Sequence, residues 1–161
     1  MEFTTDIFTV YDKKWALLTA GNKDKYNTMT ISWGGMGTLW GKPVVTSYVR
    51  TSRYTHDFMD NEDYFTVSFY PEELRKTLVL LGSKSGKEID KMNIEGLTGK
   101  EIGNSVTFEE AEITLLCRKL FKQRINPENI IDPTCKAFYD SDAEHDMYIG
   151  EVVEIVDNRN L

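Results

Sequence analysis

Histidine and cysteine are scarce in this chain of 161 residues, which holds two of each: His56, His145, Cys117 and Cys135. Two histidines poorly support a histidine-rich zinc site or a Ser-His-Asp triad, and no G-x-S-x-G elbow occurs. Hydrolysis therefore has no machinery here, and no metal site is expected. Cys117 lies in an apolar run and Cys135 in a loop-like Asp132-Pro133-Thr134-Cys135 stretch, which reads as two reduced thiols rather than a disulfide framework or a CxxC pair. Positive charge is short as well: 19 Lys and Arg against 26 Asp and Glu leave a formal charge of -7. A protein that neutralises phosphates along a nucleic acid needs the opposite balance, and an anionic membrane surface is disfavoured for the same reason. Long apolar runs are missing too. Thr77 to Leu81 stops at Gly82, far short of the ~20 residues a membrane helix requires. Met1-Glu2-Phe3-Thr4-Thr5-Asp6 has neither the positive start nor the apolar segment of a secretory leader, so the cytoplasm is the expected compartment. Repeats, low-complexity tracts and Pro/Gly/Ser linkers are lacking, and a single domain over residues 1–161 is expected.

What is present reads as an ordinary globular domain: with 40% hydrophobic and 28% charged residues, neither disorder nor a fibrous class is favoured. Short runs rich in β-branched and aromatic residues, each bounded by Gly, Pro, Asn or Asp, predict strands at 15–20, 28–33, 44–50, 64–70, 113–121 and 147–156. Two segments predict helices. Ser52 to Asp60 opens on a residue able to cap, and Pro71 to Leu81 has Pro and Glu72-Glu73 in its first turn with Gly82 just beyond its end. Leu97 to Val106 reads as a loop. Six strands with two principal helices give a mainly β (α+β) class, a β-barrel with appended helices rather than alternating βαβ units.

Two glycine-rich stretches fail the nucleotide-binding patterns they suggest. Gly82-Ser83-Lys84-Ser85-Gly86-Lys87-Glu88 is one residue short between its glycines for a phosphate loop and has Glu88 where a magnesium-binding hydroxyl belongs. Gly35 to Gly41 has Trp40 at the third glycine of a dinucleotide fingerprint and no predicted helix after it. Three other features invite a ligand. Arg50-Thr51-Ser52-Arg53-Tyr54-Thr55 brings two guanidinium groups and three hydroxyls to a strand-helix junction without an acid, which suits a phosphate and equally suits a capped helix with solvated arginines. Gly82 to Gly86 adds hydroxyls and Lys84, with Lys91 a few residues on, and also reads as a helix stop with a polar loop. Asn27 to Gly37 ends in Trp33 beside a glycine-rich turn, fit for a planar heterocycle or for plain core packing.

Together, Asn27 to Gly37, Leu39 to Val44, Arg50 to Thr55, Tyr64 to Ser68, Ser83 to Gly86 with Asp90-Lys91, Glu110-Ala111, Cys117-Arg118 and Tyr148 to Val152 resemble the flavin reductase-like, flavoredoxin-type proteins. The likeness runs from about Trp15 onward, with Thr51 standing where relatives often carry proline. It implies an FMN-binding split β-barrel with flanking helices and tightly bound FMN. Arg50, Ser52, Arg53, Thr55, Ser83, Lys84, Ser85 and Lys91 would then hold the phosphate and ribityl chain. Asn27, Thr28, Met29 and Thr30, with the backbone of Tyr48, Val49 and Arg50, would meet the isoalloxazine edge, and Trp33 would border the ring. His145 is either a substrate-side contact or a surface histidine in an acidic loop. NADH or NADPH would be the co-substrate, a free flavin or a redox protein the acceptor, and a homodimer the assembly. No protein acid or nucleophile is needed for the hydride step. A flavoredoxin-like electron carrier with little nicotinamide activity is the alternative, for which the seven carboxylates between Asp140 and Asp157 offer either a docking face or a merely solvated one. A barrel that has lost its flavin is a third.

Overall fold

A computed structural model describes residues 2–159. The chain opens with α1 (Ile7–Thr9), capped by Asp6, which runs into a π-helical turn at Val10–Lys14. Four strands follow, β1 (Ala16–Asn22), β2 (Lys25–Ile31), β3 (Gly34–Leu39) and β4 (Lys42–Arg50), and then α2 (Tyr54–Asn61) and β5 (Tyr64–Phe69). A 3-10 turn at Glu72–Leu74 leads into α3 (Arg75–Ser83). The remainder is β6 (Gly99–Ile102), β7 (Ser105–Phe108), β8 (Ile113–Arg124), α4 (Pro133–Lys136) and β9 (His145–Asp157). Seven strands form one antiparallel sheet in the order β2-β1-β5-β8-β9-β4-β3, and β6 and β7 form a separate hairpin.

All six predicted strands are present, with shifted ends. Four expectations are corrected. The glycine-rich stretch after Trp33 is no turn: Gly34 to Leu39 form edge strand β3, paired with β4. The supposed loop at 97–106 contains β6 and the start of β7, joined at Gly103 in the left-handed region with φ 51°. Gly82 does not lie beyond a helix end but inside α3, which runs to Ser83. The first predicted helix also begins later than expected, since Arg53 and not Ser52 takes the capping position, and no side chain caps it.

β1 explains why the sheet holds together. It is buried along nearly its whole length: Ala16, Leu18 and Ala20 join the main core with Val45, Phe65, Val67 and Leu115, while Leu17 faces a second core with Leu78, Leu81, Val106 and Phe108. Alternation along one strand thus supplies both faces. The second core anchors α3 against β2 and the β6–β7 hairpin against the sheet, and Thr66 Oγ1 donates to the Val106 carbonyl at 2.6 Å. Register shifts at Leu116/Cys117 and Lys119/Phe121 interrupt the long β8–β9 ladder; bulges of this kind bend a strand and increase its twist.

Candidate functional site

β2, β4, β9 and the approach to α2 meet at one cleft of about 180 Å3. Met29, Thr30 and Ile31 at the end of β2, with Ser32 and Trp33 beyond it, form one wall. Tyr48 and Arg50 of β4, Arg53 and His145 complete it. Antiparallel register brings the two most distant parts together, because Arg50 is the pairing partner of His145.

The arginines are held in place by backbone carbonyls. Arg50 Nη1 donates to the carbonyls of Ala143 and Phe138, and its Nε lies 3.4 Å from an Asp142 carboxylate oxygen. Arg53 donates from Nη1 to Gly82 O at 3.0 Å and from Nη2 to Leu81 O at 3.4 Å, which ties the start of α2 to the end of α3. Lys91 Nζ strengthens the same knot by donating to Leu81 O and Thr28 O, each at 2.9 Å. Burial, and then the nearby Arg53 cation, push the Lys91 ammonium down to about 8. Thr30 Oγ1 donates to the Leu78 carbonyl, so β2, α2 and α3 are fastened at one place.

The remaining expected residues fall into an inner and an outer group. Asn27, Thr28, Val49, Thr55 and Lys91 are buried around the cleft and do not line it. Asn27 Nδ2 donates to Thr55 Oγ1 at 2.8 Å, and Thr28 and Thr19 share a hydrogen bond at 2.8 Å. Ser52, Ser83 and Lys84 are exposed, and Ser85 is half-buried. The Ser83–Gly86 loop lies over the start of α2, since a Cβ on Gly86 would sit 2.2 Å from Asn27 Oδ1 and 2.7 Å from the Tyr54 ring. The structure thus gathers Met29, Thr30, Trp33, Tyr48, Arg50, Arg53 and His145 at the cleft and leaves the other expected residues behind or beside it.

His145 is not in a surface loop. It opens β9, is 5% exposed, and its Nδ1 lies 2.7 Å from the Tyr139 hydroxyl. Burial, and then the Arg50 cation, lower its pKa to about 4, so the ring is neutral near pH 7. Trp33 stands against it at 5.4 Å between ring centroids and meets Phe138 edge-on at 5.1 Å. Ser32, Phe138 and Tyr139 were not among the expected site residues. The two aromatics carry no local signal: Phe138 reaches the site against Trp33, and Tyr139 through His145 and the Arg50 guanidinium.

This donor set fits a flavin mononucleotide. A guanidinium has five N–H bonds, and the carbonyls named above leave some on both arginines. Helix α2 begins without a side-chain cap; His56 N turns back to the Arg53 carbonyl at 3.0 Å, which leaves the N–H groups of Tyr54 and Thr55 to face an anion. Trp33 adds a flat apolar surface, 43% exposed. The sequence, moreover, matches the family model of the flavin reductase like domain over residues 11–161. The chain belongs to the flavin reductase-like family.

Solved structures agree on the fold of this flavin reductase-like chain. It is similar to an FMN-binding protein from Thermus thermophilus with bound p-hydroxybenzaldehyde, at 18% identity and a TM-score of 0.72, covering 98% of this chain and 78% of that one. It is also similar to flavoredoxin from Methanosarcina acetivorans, at 20% identity and a TM-score of 0.69, covering 98% and 74%. A third likeness is to an NADH:FAD oxidoreductase of Streptomyces globisporus C-1027 in complex with NAD and FAD fragments, at 16% identity and a TM-score of 0.68, covering 89% and 74%. Comparison with curated protein sequences found no match. The architecture is accordingly the mainly β flavin-binding split barrel with flanking helices, as expected. No helix among the described residues is long and apolar enough to cross a membrane.

Proposed function

We propose that this chain is an FMN-dependent oxidoreductase, a flavin reductase that takes hydride from NADH or NADPH and passes reducing equivalents to a free flavin or a redox protein. The observation that carries the reading is the convergence of Thr30, Trp33, Tyr48, Arg50, Arg53 and His145 on one cleft in a chain of this family. Bound FMN supplies a ring that accepts hydride and returns electrons. The residues of the chain bind and orient. Arg53, the exposed Ser52 and Lys84, and the open start of α2 receive the phosphate, while the inward Asn27, Thr28, Thr55 and Lys91 hold the backbone that frames the ring. Arg50 places a cation beside the ring's polar edge, where it stabilises negative charge. Neutral His145, steadied by Tyr139, offers a ring nitrogen to the carboxamide of the nicotinamide. Tight FMN binding, a homodimer and a cytoplasmic location belong to the same proposal.

The electron-carrier reading has one observation in its favour: Trp33 and Phe138 are 43% and 53% exposed at the cleft mouth, an apolar margin against which a redox protein could dock. The visible spectrum of the purified protein, then anaerobic titration with NADH and NADPH, tests both. Flavin bands that bleach with reduced nicotinamide are expected. Bleaching only by dithionite would favour the carrier, and no flavin bands even after FMN addition would sink both readings. Sedimentation equilibrium of the same sample reads the dimer.

A further inference from the structure

The barrel has a second opening, at the end away from the cleft. Strand β4 pairs with β9 only from Val44–Glu151 to Arg50–His145, whereas β9 runs on to Asp157 with β8 as its one partner among the described residues. The wall made by β3 and β4 therefore stops short of the wall made by β8 and β9, and a cavity of about 410 Å3 lies between them. Small-molecule sites span roughly 300 to 1,000 Å3 and include the mouths of β-barrels. Along β4, Val44 at the cavity and Arg50 at the cleft are about 20 Å apart at ~3.3 Å per residue, so no group assigned to the flavin takes part here.

The cavity is built in layers. Val44, Val45, Leu115 and Val152 are buried and form its floor. Met36 and Ile155, half-buried at the margin of the main core, form its sides. Residues 2–7 run across the top as a strap that leads into α1. Phe3, Thr5 and Ile7 are half-buried there and Glu2, Thr4 and Asp6 exposed, so the segment alternates like a strand. It is not one: among the described residues no backbone hydrogen bond joins residues 2–5 to the sheet. Phe3 and Ile7 hold the strap by packing against the main core, and Phe3 closes the cavity. A cover held by two side chains opens at lower cost than any strand of the barrel.

The lining selects the occupant. Protein interiors fill space to nearly crystalline density, so a space of this size over a floor of valine and leucine is more than ordinary packing slack. Apolar cavities stay dry and accept apolar molecules. Among the described residues no cation lines the cavity, and its one carboxylate, Glu2, stands at the exposed rim. A phosphate or a carboxylate would find no counter-charge there and would lose its hydration. We infer that the far mouth of the barrel binds one neutral, compact, apolar molecule, with Phe3 as its removable cover. The inference stands on the cavity and the strap and is independent of the flavin reading.

Titration of the full chain with 1-adamantanol, an uncharged alicyclic probe with no flat face to stack on a flavin, tests this by calorimetry and by methyl NMR. One saturable site is expected, with an affinity that added FMN changes by less than about twofold. Shifts should concentrate in the methyl groups of Val44, Val45, Leu115, Val152 and Ile155. Ile155→Phe and Met36→Trp fill the cavity from its two sides, and each should weaken the probe at least about tenfold while circular dichroism stays that of the wild type. Where neither variant folds, the methyl shifts of the wild type carry the test alone. Absence of saturable binding overturns the inference, as does unchanged affinity in a folded filling variant. Shifts confined to Met29 and Ile31, or competition with FMN, would put the probe in the flavin cleft and overturn it equally. A chain that bound no FMN would remove the functional reading and leave this site untouched.

Discussion

Arg53 combines two tasks that one substitution separates. Its guanidinium closes the end of α3 through Leu81 and Gly82 and faces the cleft, and the proposal gives its remaining N–H groups to a phosphate. Charge-assisted contacts of this kind contribute roughly 1.5 to 3 kcal/mol. Arg53→Ala should therefore weaken FMN binding by about ten- to a hundredfold in a fluorescence titration. Unchanged affinity would place the phosphate elsewhere. His145 gives a second test. Its pKa moves from 6.5 to about 4 on folding, through burial and the Arg50 cation. Between those values the unfolded chain binds a proton that the folded chain refuses, so the His145 contribution is full above pH 6.5 and is lost as pH falls towards 4. Stability measured by urea denaturation should fall across that window in the wild type and fall less steeply in His145→Asn. Asp146 acts lower. Burial alone would raise its carboxyl, but hydrogen bonds from Arg124 and His56 hold it down to about 2, and its contribution is lost between pH 3.8 and about 2.

At the scale of elements, β3 shows how close packing fixes a strand that propensity does not favour. Gly34 opens it, and a Cβ there would come within 2.6 Å of the Tyr11 ring and 3.1 Å of the Thr46 carbonyl. Tyr11 is 3% exposed and packs edge-on against Phe69 at 5.6 Å, so the ring has little room to yield. Gly34→Ala should cost ~1–3 kcal/mol by overpacking, read as a lower urea midpoint. Gly37→Ala serves as the control, because a Cβ added there would meet nothing within 4 Å; an equal loss in both variants would refute the argument from close packing. The pairing of α2 with β9 has a different origin. His56 Nε2 donates to Asp146 Oδ2 at 2.6 Å, and Arg124 Nε to Oδ1 at 2.8 Å. Alternation along β9 turns Asp146 to this ionic cluster and its neighbour His145 to the cleft, so one clamp positions the strand that carries the site.

At the scale of the molecule, net charge conceals its own distribution. Four of the seven carboxylates between Asp140 and Asp157 find cations within the fold: Asp142 with Arg50, Asp146 with Arg124, Glu151 with Arg118, and Asp157 with Arg159. Paired acids repel anions less and attract a basic partner less, which weakens the docking-face argument drawn from the linear sequence. The two guanidinium groups that line the cleft, meanwhile, come from one short acid-free segment, Arg50 to Arg53. The -7 charge therefore limits binding to long polyanions without opposing one small phosphate ester.

The sequence by itself determined the family, the mainly β class and the positions of six strands, because period-two patterns and turn residues are local signals and the order of the motifs is written along the chain. It also placed Arg50, Arg53 and Trp33 as candidates, since a local reversal of charge stands out against an acidic background and an indole beside a run of glycines is a local signal. Elements with polar or glycine-rich composition escaped it. β3 and the β6–β7 hairpin are specified by partners far away in the chain, as Gly34 is by Tyr11. Only the tertiary structure decided which side of the cleft wall each residue occupies. Lys91 reads as a free cation until its ammonium is seen buried between two carbonyls, and His145 as a loop residue until β9 pairs it with Arg50. The physical reason is the same in each case: burial and register are properties of contacts between distant segments, and no local pattern encodes them.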